Sequence, residues 1–376
     1  MIREATMLAV VQTLPALDHG GVERGTLEVA SALVRKGHRS IVISAGGRLK
    51  QALVTGGSEH IDLPVGRKSL WTLRYVPVLR RLVEEQKVDI LHARSRLPAW
   101  IEWLAWKGMD PARRPVFITT VHGAYSVNGY SRIMTRGEHV IAVSAFIRQY
   151  ILDNYPATDP GRIVLIPRGV DPAVYSPDFK HDPSWRAPWD TQRLAGKALL
   201  CCPGRITRRK GLEDFVALIQ RLNSDGVPVH GLVVGGAQGK NHRFLTTLRR
   251  RICAAGSNEL FSFLGDRDDL REIMSISTLV AVLAKEPESF GRTALEALSL
   301  GVPVLAYDRG GSGEILRELF PQGLVAPDNL ETALLKAREL IECPPPVGEN
   351  RVYTLERMLE DTLNLYESAA VRVIHA

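Results

Sequence analysis

A chain of 376 residues has room for two domains of ordinary size. With 45% hydrophobic and 24% charged residues it reads as an average soluble globular protein, which excludes disordered and fibrous classes. The net charge of +7 is uneven: residues 1–175 carry 23 Lys and Arg against 15 Asp and Glu, and the remainder 25 against 26. A basic first half points to an anionic ligand or surface, or else to scattered solvated arginines. Nucleic acid is disfavoured, because no binding motif is present and few aromatics accompany the basic residues. Cys201, Cys202, Cys253 and Cys343 have no C-x-x-C spacing and read as the reduced, buried thiols of a cytosolic protein. No apolar run reaches about 18 residues, so no transmembrane helix is expected. MIREATMLAVVQTLP, with Glu4 beside Arg3, does not read as a signal peptide.

Short runs of Val, Ile and Leu alternate with segments of helical period, the pattern of buried parallel sheets. Strands are expected at 7–13, 40–44, 88–92, 116–121, 139–143 and 163–166. The helix expected at 23–36 repeats Leu27, Ala30 and Val34 at three and four residues and ends at Gly37 in the C′ position. From Asp171 to Gly196 the period breaks over Pro172, Pro177, Pro183 and Pro188, with Trp185 and Trp189 among them, which reads as a connection between domains. Strands resume near 197–202, 229–234, 260–264, 278–283 and 302–306, and Pro344 to Pro346 close the second unit. VYTLERMLEDTLNLYESAA is an amphipathic helix whose stripe, Leu355, Met358, Leu359, Thr362, Leu363 and Tyr366, needs a partner, plausibly the first domain. The expected fold is α/β: two Rossmann-like, doubly wound parallel-sheet domains facing across a cleft. The boundaries are 1–172 for the first Rossmann-like domain, 173–196 for the connection, 197–350 for the second Rossmann-like domain and 351–376 for the returning helix. Ligand crevices of such sheets open at the carboxyl ends of the strands.

Four segments there carry chemistry. Gly20 and Gly21, in ALDHGGVERG, follow the first strand, and their N–H groups can either meet a phosphate or form a plain tight turn; G-x-G-x-x-G is absent. In GRITRRKG, Arg205 and Lys210 can grip a diphosphate, one as a planar fork and the other as a point charge, while Arg208 and Arg209 read as solvated. Cations at a helix start oppose its dipole, and a bound anion resolves that conflict. In KEPESFGRTALEALSLGVPV, the N–H groups of Ser289, Phe290, Gly291 and Arg292 at a helix start can hold a phosphate or a sugar hydroxyl. Glu288 can accept from sugar hydroxyls, and Glu296 can bridge a ribose or simply be solvated. His122, in FITTVHGAY, ends an apolar strand on the crevice side and is otherwise a structural histidine.

Taken in order, GGVERGTLEVASALVRKGH, TTVHG, IPRGVD, GRITRRKG, LVVGGAQG and ESFGRTALEALSLGVPV resemble glycosyltransferase family 4, retaining enzymes of the GT-B fold, over essentially the whole chain. The resemblance implies that Gly21 donates to the donor diphosphate and that Arg205 and Lys210 neutralise it as it leaves. It further implies that Glu288 binds the donor sugar with the backbone of Ser289 to Arg292, that Glu296 holds the ribose, and that His122 faces the donor sugar. The base would stack near Gly265 to Asp269. Arg168 departs from the family's usual Asn in P-N-G-V-D and is either a phosphate or acceptor contact or a surface change. No metal or other cofactor is implied beyond a UDP or GDP sugar as donor substrate.

LHARSRLPAW and VPVGRKSLWTL look like transferases of bacterial cell-surface polysaccharide, lipopolysaccharide core in particular. An acidic glycolipid or polysaccharide acceptor suits the basic first half, with Arg67, Lys68, Arg94 and Arg96 as acceptor contacts or solvated residues. Such an acceptor would bring a cytoplasmic protein to the inner face of a membrane. The competing readings are a nucleotide-sugar epimerase, a non-catalytic scaffold and a Rossmann dehydrogenase. His122, Arg205, Lys210 and Glu288 together argue against the scaffold, and the missing dinucleotide fingerprint argues against the dehydrogenase.

Overall fold

The computed structural model describes residues 7–18, 20–189, 194–239 and 241–374. They form two compact units, Met1–Pro167 with Glu356–Ala376, and Arg168–Leu355. The first holds seven parallel strands: β1 Ala9–Thr13, β2 Arg39–Ser44, β3 Glu59–Asp62, β4 Ile90–Ala93, β5 Val116–Val121, β6 His139–Ala142 and β7 Ile163–Leu165. Their order is β3-β2-β1-β4-β5-β6-β7, which puts the topological switch point between β1 and β4. The second holds β8 Ala198–Pro203, β9 Val229–Val234, β10 Phe261–Gly265, β11 Leu279–Val282, β12 Val304–Tyr307 and β13 Leu324–Val325, ordered β10-β9-β8-β11-β12-β13 with its switch between β8 and β11.

The central strands are almost wholly buried, as VFITTV of β5 and VHGLVV of β9 illustrate, because helices cover both faces of a parallel sheet. The two strands not expected from sequence, β3 and β13, are both edge strands. β3 reads EHID, and β13 is only two residues long, so neither presents an apolar run. The first helix spans Gly21–Arg35, and Gly37 follows at φ 78°, as its C′ position requires.

Two expectations are corrected. The 173–196 stretch, of which 190–193 lie outside the described residues, is more than a connection: Tyr175, Phe179, Trp185 and Trp189 pack on the core of the second unit. Proline-rich sequence hid this by breaking the period without removing the large apolar side chains. The thiols also divide. Cys201 and Cys202 are buried on β8, where burial pushes Cys202 up to about 12, whereas Cys253 and Cys343 sit exposed at helix ends. The closing helix, Leu355–Ile374, buries Met358, Leu359, Thr362, Leu363 and Tyr366. The Tyr366 hydroxyl lies 2.6 Å from His92 Nδ1 on β4, within the first unit.

Gly211 joins the two loops beside the β8–β11 switch. It lies at φ 70°, and a Cβ there would overlap the Leu283 carbonyl at the end of β11. Gly211→Ala is expected to cost about 2–5 kcal/mol, left-handed strain plus overpacking. Gly226→Ala, at φ 81° with open space around it, should lose only the strain. Urea unfolding of both checks this, and equal losses would show that the close approach is immaterial.

Candidate active site

The loop after β8 and the loop after β11 are zipped together. Lys285 N–H donates to the Arg209 carbonyl at 2.8 Å, just beyond the Gly211–Leu283 approach. That registration sets the Lys210 ammonium, one-third exposed, against the Glu288 carboxylate, whose side chain is 15% exposed. The Ser312 hydroxyl donates to the second Glu288 oxygen at 2.7 Å. Burial raises the Glu288 pKa, but Lys210 and then Ser312 more than offset it, so the carboxyl stays below its ordinary value and is ionised at neutral pH.

Two helix starts converge on this pair. Arg292–Ser299 begins after Gly291, which has a φ of 87° and no side chain with which to cap the helix. Gly310–Leu319 begins with Gly310, Gly311 and Ser312, and Gly311 N–H donates to the Glu288 carbonyl at 2.7 Å. A Cβ on Gly291 would meet Ser312, and one on Gly311 would meet the Phe290 backbone. Glycine is therefore what lets the two helices start side by side. Phe290 is buried edge-to-face on Tyr353 and serves as the anchor of the loop. Aligned N–H groups and the positive ends of two helices make an anion-binding environment. Arg205, exposed on the β8 loop, has no carboxylate within ion-pair distance among the described residues. Arg208 and Arg209 are exposed and paired with Glu213 and Glu286.

Glu296 is not solvated. It is buried, accepting from the Tyr175 hydroxyl at 3.1 Å and from Arg292 Nε at 3.0 Å. Gly265, at φ 70°, is linked to the loop after β8 through the backbone: Gly235 N–H donates to the Gly265 carbonyl at 2.7 Å, and Gly204 N–H to the Val234 carbonyl at 2.8 Å. The Asp269 carboxylate is already engaged by Arg267, which holds it below its usual range, and by the Trp185 indole N–H at 2.6 Å. The second unit thus pairs Lys210 with Glu288 beside the Ser289–Arg292 turn and Arg292 with Glu296, and carries Arg205 on the same loop as Lys210.

In the first unit, Gly20 has φ 147° and precedes the Gly21–Arg35 helix; a Cβ on Gly21 would meet nothing within 4 Å. His122 follows β5 half-buried, its backbone N–H directed at the Tyr125 hydroxyl at 3.3 Å. Arg67 and Lys68 are exposed. Arg96 is half-buried with its guanidinium over Tyr125 at 4.6 Å and Tyr130 at 5.3 Å. Arg94 is a correction: it is neither solvated nor presented to an acceptor, being 2% exposed with Nη1 donating to Gln12 Oε1 at 2.6 Å. Gln12 points from β1 into the same layer, and burial lowers the Arg94 pKa. Arg168 is also buried, which excludes the surface-change reading.

Sequence reasoning passed over Tyr175, Ser312 and the glycine pair of RGGSGE. The last had an available signal, a glycine-rich strand-to-helix turn of the kind already noted at Gly20 and Gly21.

The sequence matches the family described as Glycosyltransferase Family 4 over residues 19–174, and that described as Glycosyl transferases group 1 over residues 184–354. A glycosyltransferase from Rickettsia africae ESF-5 of known crystal structure is 28% identical, with a TM-score of 0.83 and 97% of this chain and 99% of that one covered. The lipopolysaccharide core biosynthesis mannosyltransferase LpsB of Rhizobium meliloti (strain 1021) is 24% identical over 66% of this chain and 68% of its own length. HepE from Anabaena, crystallised in complex with UDP-glucose, is 19% identical with a TM-score of 0.73 over 97% of each chain, a likeness of fold.

Proposed function

Because this chain belongs to the glycosyltransferases, with Family 4 and group 1 domains in tandem, we propose that it moves a hexose-type sugar from a nucleoside-diphosphate sugar to a hydroxyl of a bacterial surface glycan, with retention of configuration. A lipopolysaccharide-core acceptor is the preferred reading, supported by the name of the Rhizobium meliloti relative and by the basic first half of the chain. UDP is the preferred nucleotide, supported by the UDP-glucose that HepE holds.

The observation that carries this reading is the Lys210–Glu288 pair set beside the glycine-started helices Arg292–Ser299 and Gly310–Leu319. The hard step breaks the bond between the anomeric carbon and the diphosphate oxygen, and the electron pair leaves with the diphosphate. Arg205, Lys210 and the N–H groups at Gly291 and Arg292 are fixed charges and dipoles that stabilise the departing anion without reorganising. Glu288, ionised, accepts hydrogen bonds from the sugar hydroxyls, and Glu296 from the ribose. The acceptor oxygen bonds to the anomeric carbon on the face the diphosphate leaves, and its proton passes to a phosphate oxygen. Fixed cations and helix dipoles make this route available without a metal.

A thermal-shift screen against UDP, GDP, ADP, CMP and NAD in EDTA tests the reading. A nucleoside diphosphate at a hundred times its Kd should stabilise by about 2.7 kcal/mol, a rise of about 5–11 °C for a unit of this size. A response to NAD alone would overturn the proposal.

A further inference from the structure

Glu296 stands on the helix Arg292–Ser299 between Leu295 and Ala297, both fully buried, and its own side chain is buried with them. A carboxylate taken out of water needs donors, and here two donors share one oxygen. The Tyr175 hydroxyl donates to Oε1 at 3.1 Å, and Arg292 Nε donates to the same atom at 3.0 Å. A carboxylate oxygen has two lone pairs, and at Oε1 both are taken. Oε2 accepts from none of the described residues and is not sealed from solvent.

Tyr175 is held in place by its own segment. Its N–H donates to the Asp171 carbonyl at 2.9 Å, and Asp171 Oδ1 accepts from Ala173 N–H at 2.8 Å, which closes the turn that presents the ring. Arg271 Nη1 donates to the Val174 carbonyl at 3.4 Å, and its guanidinium lies over Phe179 at 4.1 Å. Beyond Tyr175 the chain keeps to the same helix: a Cβ on Gly301, just past the helix end, would come within 3.2 Å of Pro177. The ring itself packs on the core of the second unit. A mere tie between this segment and the helix would be served by either oxygen of Glu296. Both donors instead meet on one oxygen and leave the other open.

We infer that Tyr175 is a positioning residue for nucleotide binding: with Arg292 it fixes the Glu296 carboxylate so that Oε2 accepts from the ribose hydroxyls of the donor. This rests on the ribose role proposed for Glu296, and adds the residue that sets the carboxylate and the oxygen that does the accepting. Two donors on one oxygen hold the carboxylate plane before the ligand arrives, so binding does not have to order it. Tyr175→Phe keeps the ring and its packing and removes one of the two donors.

The test is calorimetric titration of the full chain with UDP and with GDP, each beside its 2′,3′-dideoxy counterpart. The unaltered chain should bind the dideoxy form about tenfold or more weakly, since a hydrogen bond to a charged acceptor is lost. Tyr175→Phe should weaken the ribonucleotide about three- to tenfold and leave the dideoxy form unchanged. In a Glu296→Ala background the tyrosine substitution should have no further effect, because it acts through that carboxylate. Equal weakening of both forms by Tyr175→Phe would make the hydroxyl a structural tie and overturns the inference. So does undiminished ribonucleotide binding, or an effect that persists in Glu296→Ala. If the unaltered chain binds ribo and dideoxy forms alike, the ribose role of Glu296 fails and the role of Tyr175 with it, while the donor site stands. Binding of neither nucleotide would remove the donor site as well.

Discussion

Replacing Arg205 by alanine is expected to lower turnover about 10²–10³-fold while leaving the unfolding midpoint in place. The guanidinium is exposed and has no carboxylate partner among the described residues, so no packing or buried ion pair is lost with it. In the proposed function its value lies in the charge it sets beside the departing diphosphate, and loss of one such group costs about that factor. Lys210→Ala should lose activity to a similar degree but differ in stability. It strands the Glu288 carboxylate at the junction of two helices, with the Ser312 hydroxyl as its remaining donor among the described residues. Lys210 is one-third exposed, so the loss should be about 2–3 kcal/mol, less than for a fully buried pair. Steady-state kinetics with urea unfolding separates the two variants. Wild-type rates in both would remove the diphosphate assignment altogether.

The contrast between these two cations shows what sequence could and could not reveal. The central strands were legible because a parallel sheet is buried on both faces: VFITTV of β5 and VHGLVV of β9 fall where an apolar run predicts them. The edge strands β3 and β13 were not, since EHID and a two-residue strand present no apolar run, unlike the other edges β7 and β10. The residue types of the site were readable from their place after strands, but their pairings were not. That Lys210 meets Glu288 depends on Gly211 admitting the Leu283 carbonyl, a contact between residues far apart in the chain. Tyr175 was hidden in a proline-rich stretch whose broken period suggested a linker, yet it supplies a hydroxyl to Glu296. Arg94 failed for the opposite reason. It was read as an acceptor contact or a solvated residue from LHARSRLPAW and the basic first half, whereas the polar layer formed with Gln12 turns it inward.

Glu288→Gln separates a chemical role for the carboxylate from a structural one. An amide of the same shape can still accept from a sugar hydroxyl, but it carries no charge, so turnover should fall by about 10²-fold. Stability should change with a definite pH signature. The Glu288 pKa is depressed in the folded state, so its contribution is fully present above the ordinary carboxylate value of about 4.3 and is lost as pH falls through the folded value. The gap in unfolding free energy between wild type and Glu288→Gln should therefore be constant near neutrality and close as pH drops below about 4. Adding Lys210→Met removes the cation that Glu288→Gln leaves without its counter-charge. The double variant should then recover part of the stability lost by either single change, since replacing both partners of a buried pair costs less than removing one. It should recover none of the activity. A Glu288→Gln enzyme with wild-type turnover and the same pH-dependent stability gap would make the pair a structural clamp between the two loops, leaving the donor sugar to be held by the backbone of Ser289 to Arg292 alone.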